Sequence, residues 1–331
     1  MDVVRYYLAT CVIIAHLNAL TGFDFYWPTP GSIRVGAFFT ISGFLVYPSF
    51  FRKNNLGQYF RSRVVRIMPP YIVVILLFSL LLVFASTLAP QQYFLSADYW
   101  KYLLANLSYL NFLQPDLPGV FTEEQFNSSA VNGSLWTMKI EWLMYLSVPI
   151  IALIHRRFQN KFNLIFALLI GGSIAYRLVM YYLYVESGNE MYRILDRQFF
   201  GQASYFYFGA YLYFIKDKLI KYKWLFLSVA LFLWAIGSYI PLYHFTLKPL
   251  VVSLVTIWVC IVGNWGKYIS RHDNVSYDLY LYHFPVIQLG IYCGMLEWQP
   301  WLILLYVFGV TTTCAILSWN LVGKRCKRLL S

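Results

Sequence analysis

The chain has 331 residues, 60% of them hydrophobic and 20% aromatic, and only 12% are charged, about half the charge of an ordinary soluble domain. That balance excludes a soluble globular protein: with apolar runs of about 17–23 residues, lipid is the solvent for most of the chain. The net charge of +12 does not point to nucleic acid, because the basic residues sit in short clusters between the apolar runs, as the positive-inside rule requires.

The runs are continuous and do not alternate with period two, which predicts an all-α polytopic membrane protein and not a barrel. Ten transmembrane spans are expected near 3–21, 33–51, 68–89, 135–154, 162–183, 199–215, 224–240, 246–263, 277–295 and 300–321. The first run lacks a basic leading region and a small-residue cleavage site, so it reads as a retained span and not a signal peptide. Every even-numbered connection is basic: Arg52 to Arg66, Arg156 to Lys161, Lys216 to Lys223, Lys267 with Arg271, and Lys324 to Arg328. The odd-numbered connections hold Asp24, Asp98, Asp116, Glu123, Glu124, Glu186, Glu190 and Glu297. Ten spans with both termini in the cytoplasm satisfy this alternation without exception. The connection 90–133 is then external, and its aromatic stretch 99–113 (YWKYLLANLSYLNFL) is expected to lie on or dip into the membrane surface. No repeat or soluble appendage is visible, so residues 1–331 are expected to form one integral-membrane domain. The five cysteines form no CxxC pair and read as small apolar core residues, with no metal site implied.

Ionisable groups inside spans are costly, and each is a functional candidate. Arg5 and His16 are eleven residues apart, which on a helix returns to within about 20° and advances about 16 Å. They share a face, with Arg5 near the cytoplasm and His16 deeper. The alternative is a snorkelling arginine and a hydrogen-bonded core histidine. In FFTISGFLV (38–46), Ser42 and Gly43 are small residues that favour close helix packing. RSRVVRIMPPY (61–71) puts Arg63 and Arg66 on one side of a turn, where ordinary inner-face anchoring competes with an anion clamp. In SLWTMKIEWLMYLSVP (134–149), Ser134 is expected to cap the helix and Glu141 lies about two turns in. A carboxylate there needs a partner, and His16 is available. Lys139 is expected to snorkel or to touch substrate. SYDLYLYHFPV (276–286) adds Asp278 and His283, for which a structural or cofactor-contacting role is favoured over catalysis. His155, His244 and His272 fall in expected loops and carry no special signal.

Together and in this order these segments resemble acyltransferase family 3, integral-membrane O-acyltransferases of surface glycans and small secreted molecules. Asp2, Arg5 and His16 match its opening D-x-x-R-x(10)-H. Phe38, Phe39, Ser42, Gly43, Phe44 and Leu45 match its second motif; Arg63, Arg66, Ile67, Pro69 and Tyr71 match its third. Ser134, Leu135, Trp136, Glu141, Tyr145 and Pro149, then Ser276, Tyr277, Tyr280, Leu281, His283 and Pro285, complete the set. Two departures stand out: Trp142 replaces a frequent second acid, and Gly323-Lys324-Arg325 replaces a glutamate-proline near the C terminus.

The resemblance implies an acyl-CoA donor, most often acetyl-CoA, a glycan or polysaccharide acceptor, and a bacterial inner (cytoplasmic) membrane location. It implies catalytic roles for His16 and Glu141, donor contacts from Arg5, Arg63, Arg66, Tyr71 and His283, and acceptor contacts from Ser42, Ser134 and Trp136. His16 would be the general base and Glu141 its orienting carboxylate; direct transfer and an acyl intermediate on His16 or Ser42 both stay open. A glycan or lipid-precursor transporter would share the ten spans, the basic inner face and the buried charges, but matched inverted halves are not visible.

Overall fold

A computed structural model of the chain describes residues 1–26, 29–53, 55–262 and 274–330. Lys267, Arg271, His272 and the last residue of the eighth expected span lie outside the described residues. The first half contains helices α1 (Asp2–Thr21), α2 (Gly31–Lys53), α3 (Leu56–Leu81), α4 (Pro90–Leu95), α5 (Ala97–Leu107) and α6 (Trp136–Arg157). The second half contains α7 (Phe162–Ser187), α8 (Met191–Asp196), α9 (Phe199–Phe214), α10 (Lys216–Lys221) and α11 (Lys223–Ala235). It ends with α12 (Lys248–Val262), α13 (Ser276–Tyr292), α14 (Pro300–Ser318) and α15 (Lys324–Leu330), the last two joined by a π turn at Trp319–Gly323.

A helix occupies each of the ten expected stretches. Six stretches are long and apolar enough to cross a membrane: Asp2–Thr21, Gly31–Arg52, Leu56–Ala85, Trp136–Arg157, Phe162–Ser187 and Pro300–Arg328. Helices α9, α11, α12 and α13 have 16, 13, 15 and 17 described residues. At 1.5 Å per residue these reach roughly 20–26 Å, less than the ~30 Å hydrocarbon layer. The protein is therefore an all-helical, multi-pass membrane protein with at least six such segments among the described residues.

The third span departs from expectation. Arg61, Arg63 and Arg66 are not in a connection before it but inside α3, which starts at Leu56 and runs through Pro69 and Pro70. Proline's fixed φ is itself helical; what it removes is the hydrogen bond to the carbonyl four residues back. His155 likewise is not in a loop. It lies in the last turn of α6, edge-on to Phe51 at 5.5 Å and 4.6 Å from the Phe162 ring.

The chain divides into two compact units, each built from several stretches: Met1–Leu8, Thr29–Tyr59 and Ile140–His272 form the first, and Ala9–Pro28, Phe60–Lys139 and Asp273–Ser331 the second. In the first, α2 and α9 meet backbone to backbone. A Cβ on Gly43 would sit 1.9 Å from the Phe206 carbonyl oxygen, and one on Gly209 would sit 2.0 Å from that of Thr40. Thr40 Oγ1 also bonds Ser253 Oγ at 2.9 Å, which ties in α12. Without a hydrophobic effect between helices in lipid, such close approach is what holds them. In the second unit, Ile13 and Leu17 of α1 pack with Phe284, Ile287 and Ile291 of α13 and with Ile303 and Val307 of α14. A second cluster joins α3, α5 and α13 through Tyr71, Phe78, Tyr102, Leu135 and Tyr282.

The 99–113 stretch does more than lie on a surface. Tyr102 and Asn106 are buried while Trp100, Leu104, Phe112 and Leu113 are exposed. Tyr71 of α3 donates to the Asn106 carbonyl at 2.7 Å and stacks on Tyr109 at 4.4 Å.

Two helices with an internal proline have the resulting unpaired carbonyl filled from outside. Pro149 in α6 cannot donate to Tyr145, and Tyr59 donates its hydroxyl to that carbonyl at 3.0 Å. Pro285 in α13 cannot donate to Leu281, and Asn132 Nδ2 does so at 2.8 Å. An unpaired carbonyl in a lipid-facing protein has no water to turn to, so these donors are structural necessities.

Candidate active site

The sequence-predicted residues fall into two groups, one in each unit. In the second unit, α1 brings His16 against His283 of α13. His16 Nδ1 lies 2.7 Å from His283 Nε2, and the rings stack with centroids 5.0 Å apart and planes 12° apart. His283 is fully buried, and its Nδ1 lies 3.3 Å from the Leu279 carbonyl oxygen one turn back. His16 is half-buried, with Phe284 edge-on at 5.3 Å. The sequence places His283 among donor contacts; the structure pairs it with His16.

The segment before α6 braces α13. Ser134 does not cap α6, whose first residue is Trp136. Its hydroxyl donates to Asn132 Oδ1 at 2.6 Å and approaches the Tyr280 carbonyl at 3.3 Å, and Ser134 is fully buried. The Tyr280 hydroxyl donates back to the Ser134 carbonyl at 2.8 Å and lies 2.8 Å from Thr137 Oγ1. A side chain that closes these bonds holds α13 in register. Trp136 is half-buried at the start of α6.

In the first unit, Glu141 and Tyr145 are one turn apart on α6, and Tyr145 donates its hydroxyl to Glu141 Oε1. Ser42 Oγ lies 3.2 Å from the same hydroxyl. With the Tyr145 proton on Glu141, Ser42 is the donor to Tyr145, which orders a chain Ser42 to Tyr145 to Glu141. Tyr145 is buried and Glu141 half-buried. The i, i+4 spacing of Glu141 and Tyr145 is visible in the sequence, yet only the fold shows that Ser42 reaches the same hydroxyl.

The arginines differ in setting. Arg5 is half-buried in α1, Arg63 is half-buried, and Arg66 is exposed three residues further along α3. Arg63 and Arg66 therefore do share one side of a helical turn. Tyr71, expected at the donor, is 1% exposed with its hydroxyl on Asn106. Asp278 is buried and accepts from Ser318 at 2.6 Å, a structural contact between α13 and α14. Lys139 places its ammonium over the Phe112 ring at 4.6 Å, using the charge against an aromatic face.

Comparison with known proteins bears on what such a constellation does. The chain matches an acyltransferase domain over residues 1–319. It is 26% identical to an O-acetyl transferase of Shigella phage Sf6, over 98% of this chain and 94% of that protein. It is equally 26% identical to nodulation protein 10 of Rhizobium leguminosarum bv. viciae, over 99% of this chain and 93% of the relative. The O-acetyltransferase OatA of Staphylococcus aureus is 24% identical over 87% of this chain but only 50% of its own length. No solved structure matches the chain. The match spans nearly the whole chain, the stretches that hold the candidate residues included, and the chain belongs to acyltransferase family 3.

Proposed function

We propose that the protein moves an acetyl group from cytoplasmic acetyl-CoA to a hydroxyl of a cell-surface or exported glycan. The observation that carries this reading is the imidazole of His16, half-buried and hydrogen-bonded at 2.7 Å to a second imidazole. The names of two relatives, an O-acetyl transferase and an O-acetyltransferase, support the reaction type.

In this mechanism His16 takes the proton of the acceptor hydroxyl as its oxygen attacks the thioester carbonyl. The new C–O bond forms, the C–S bond breaks, and the proton passes from His16 to the departing CoA thiolate. Glu141, hydrogen-bonded to Tyr145, is the second catalytic residue, an assignment carried by the sequence motif. Arg5, Arg63 and Arg66 hold the CoA phosphates at the inner face, where guanidinium forks suit phosphate oxygens. Tyr71 and Ser134 support the helices that carry the site, Trp136 contacts the acceptor, and Ser42 acts through Tyr145.

The same proposal takes the chain as one domain with ten membrane crossings, both termini in the cytoplasm, in a bacterial cytoplasmic membrane. The donor then arrives from inside and the acceptor from outside.

The test uses the purified full chain in lipid nanodiscs with labelled acetyl-CoA and an exported-glycan extract. The wild type should transfer label, and His16→Ala and Glu141→Ala should each lose at least ~100-fold while still inserting and eluting normally. Full transfer by either variant would overturn that residue's role, and no transfer by the wild type to any glycan would overturn the reaction.

A further inference from the structure

The contact between His16 and His283 fixes where the protons sit. Leu279 offers a backbone carbonyl, which can only accept, so His283 Nδ1 at 3.3 Å carries a hydrogen. His283 is fully buried, beside the Tyr280 and Phe284 rings, and forms no ion pair among the described contacts, so the ring is neutral. Its single N–H being on Nδ1, the lone pair is on Nε2. The 2.7 Å contact to His16 Nδ1 then has one direction only, with His16 donating. In the neutral His16 that a general base requires, that leaves Nε2 as the nitrogen with the lone pair.

The frame that sets this order is unusually well tied. Asn132 holds the Leu281 carbonyl at 2.8 Å, and the Tyr280 hydroxyl is bonded to the Ser134 carbonyl at 2.8 Å. The Tyr277 hydroxyl donates to the Ile67 carbonyl of α3 at 3.1 Å. These bonds straddle the turn from Leu279 to His283, so the carbonyl and the ring are held together. Phe284, edge-on to His16 at 5.3 Å, packs the ring from another side.

We propose that His283 is a positioning residue for acyl transfer: it holds His16 as the Nδ1–H tautomer and so presents Nε2 as the base. The inference rests on the acetyl-transfer reading above and removes His283 from the donor contacts. As Nε2 takes the acceptor proton, the bond from His16 Nδ1 to His283 strengthens, because its donor becomes charged. The acceptor hydroxyl loses the proton and gains the acyl carbon; His283 exchanges nothing.

Two variants test this. His283→Phe keeps a ring in the cavity and removes the acceptor, whereas His283→Gln restores an amide oxygen near the place of Nε2. In the labelled acetyl-CoA assay, H283F should lower kcat about 100-fold, a middle value between a lost orienting partner and a lost triad carboxylate, with the KM for acetyl-CoA changed less than twofold. H283Q should regain at least tenfold of that loss. An unchanged kcat in H283F, equal losses in both variants, or a tenfold rise in KM with kcat intact would each overturn the proposal, the last in favour of donor contact. If only H283Q accumulates in the membrane, a kcat within about tenfold of wild type at unchanged KM supports the proposal, and a raised KM overturns it. Wild type and H16A run alongside separate the two layers: equal transfer by both removes His16 as the base, whereas an active wild type beside an indifferent H283F removes only His283.

Discussion

Asn132→Leu removes the amide that Pro285 makes necessary. In the wild type, Asn132 Nδ2 donates to Leu281 O at 2.8 Å, and its Oδ1 accepts from Ser134 Oγ at 2.6 Å. Leucine leaves the Leu281 carbonyl buried and unpaired, a loss of about 1–3 kcal/mol in general, although interhelical bonds in membrane proteins average only ~0.6 kcal/mol with a ceiling near ~1.7. Ser134 retains the Tyr280 carbonyl at 3.3 Å, so a total near ~1.5 kcal/mol is expected. The decisive comparison is in the Pro285→Ala background, where residue 285 regains an N–H that can serve Leu281 within the helix. There, N132L should cost only about 0.5 kcal/mol, giving a coupling near ~1 kcal/mol, well above the scatter for independent sites. The measurement is unfolding of the four proteins in mixed micelles, followed by tryptophan fluorescence over a denaturant titration. Additivity of the two changes within ~0.3 kcal/mol would refute the claim that Asn132 serves the carbonyl orphaned by the proline.

Tyr59→Phe should destabilise by about 1 kcal/mol through the Tyr145 carbonyl, and by less in a Pro149→Ala background, measured by the same unfolding titration. Gly43→Ala and Gly209→Ala bring a methyl group within 2.0 Å of backbone oxygens and should prevent accumulation of folded protein. Gly171→Ala, where nothing lies within 4 Å, should be neutral or slightly stabilising on a helix. Folded yields by size exclusion in detergent decide both, and a well-folded G43A would show that α2 and α9 do not need that contact.

The helical content and its placement were legible because apolar length and loop charge are one-dimensional signals. The start of α3 is not: Arg61, Arg63 and Arg66 read as part of a connection because three positive charges argue against a span that begins before residue 68, yet a helix can carry all three on its polar end. Ser134 looked like a cap because it precedes a helical run, but its hydroxyl turned to Asn132 and Tyr280, partners more than 140 residues away in the latter case. His283 shows the same limit. Its type and motif were plain, and only the packing of α1 on α13 revealed which ring it touches. Asn132 carries no motif signal of its own, although a proline four residues after a buried carbonyl is a readable demand for a donor from elsewhere.

The borrowed donors also have an order in time. Tyr59 precedes Pro149 in the chain, and Asn132 precedes Pro285. During synthesis from the N terminus, each proline-broken helix reaches the bilayer after the group that will complete it has been made. Its bare carbonyl therefore meets a waiting partner, and the interval in which it faces hydrocarbon alone is kept short. Reversing that order, for instance by a circular permutation that delays residues 59 or 132, would leave the same contacts in the finished protein but expose the unfinished helix during insertion.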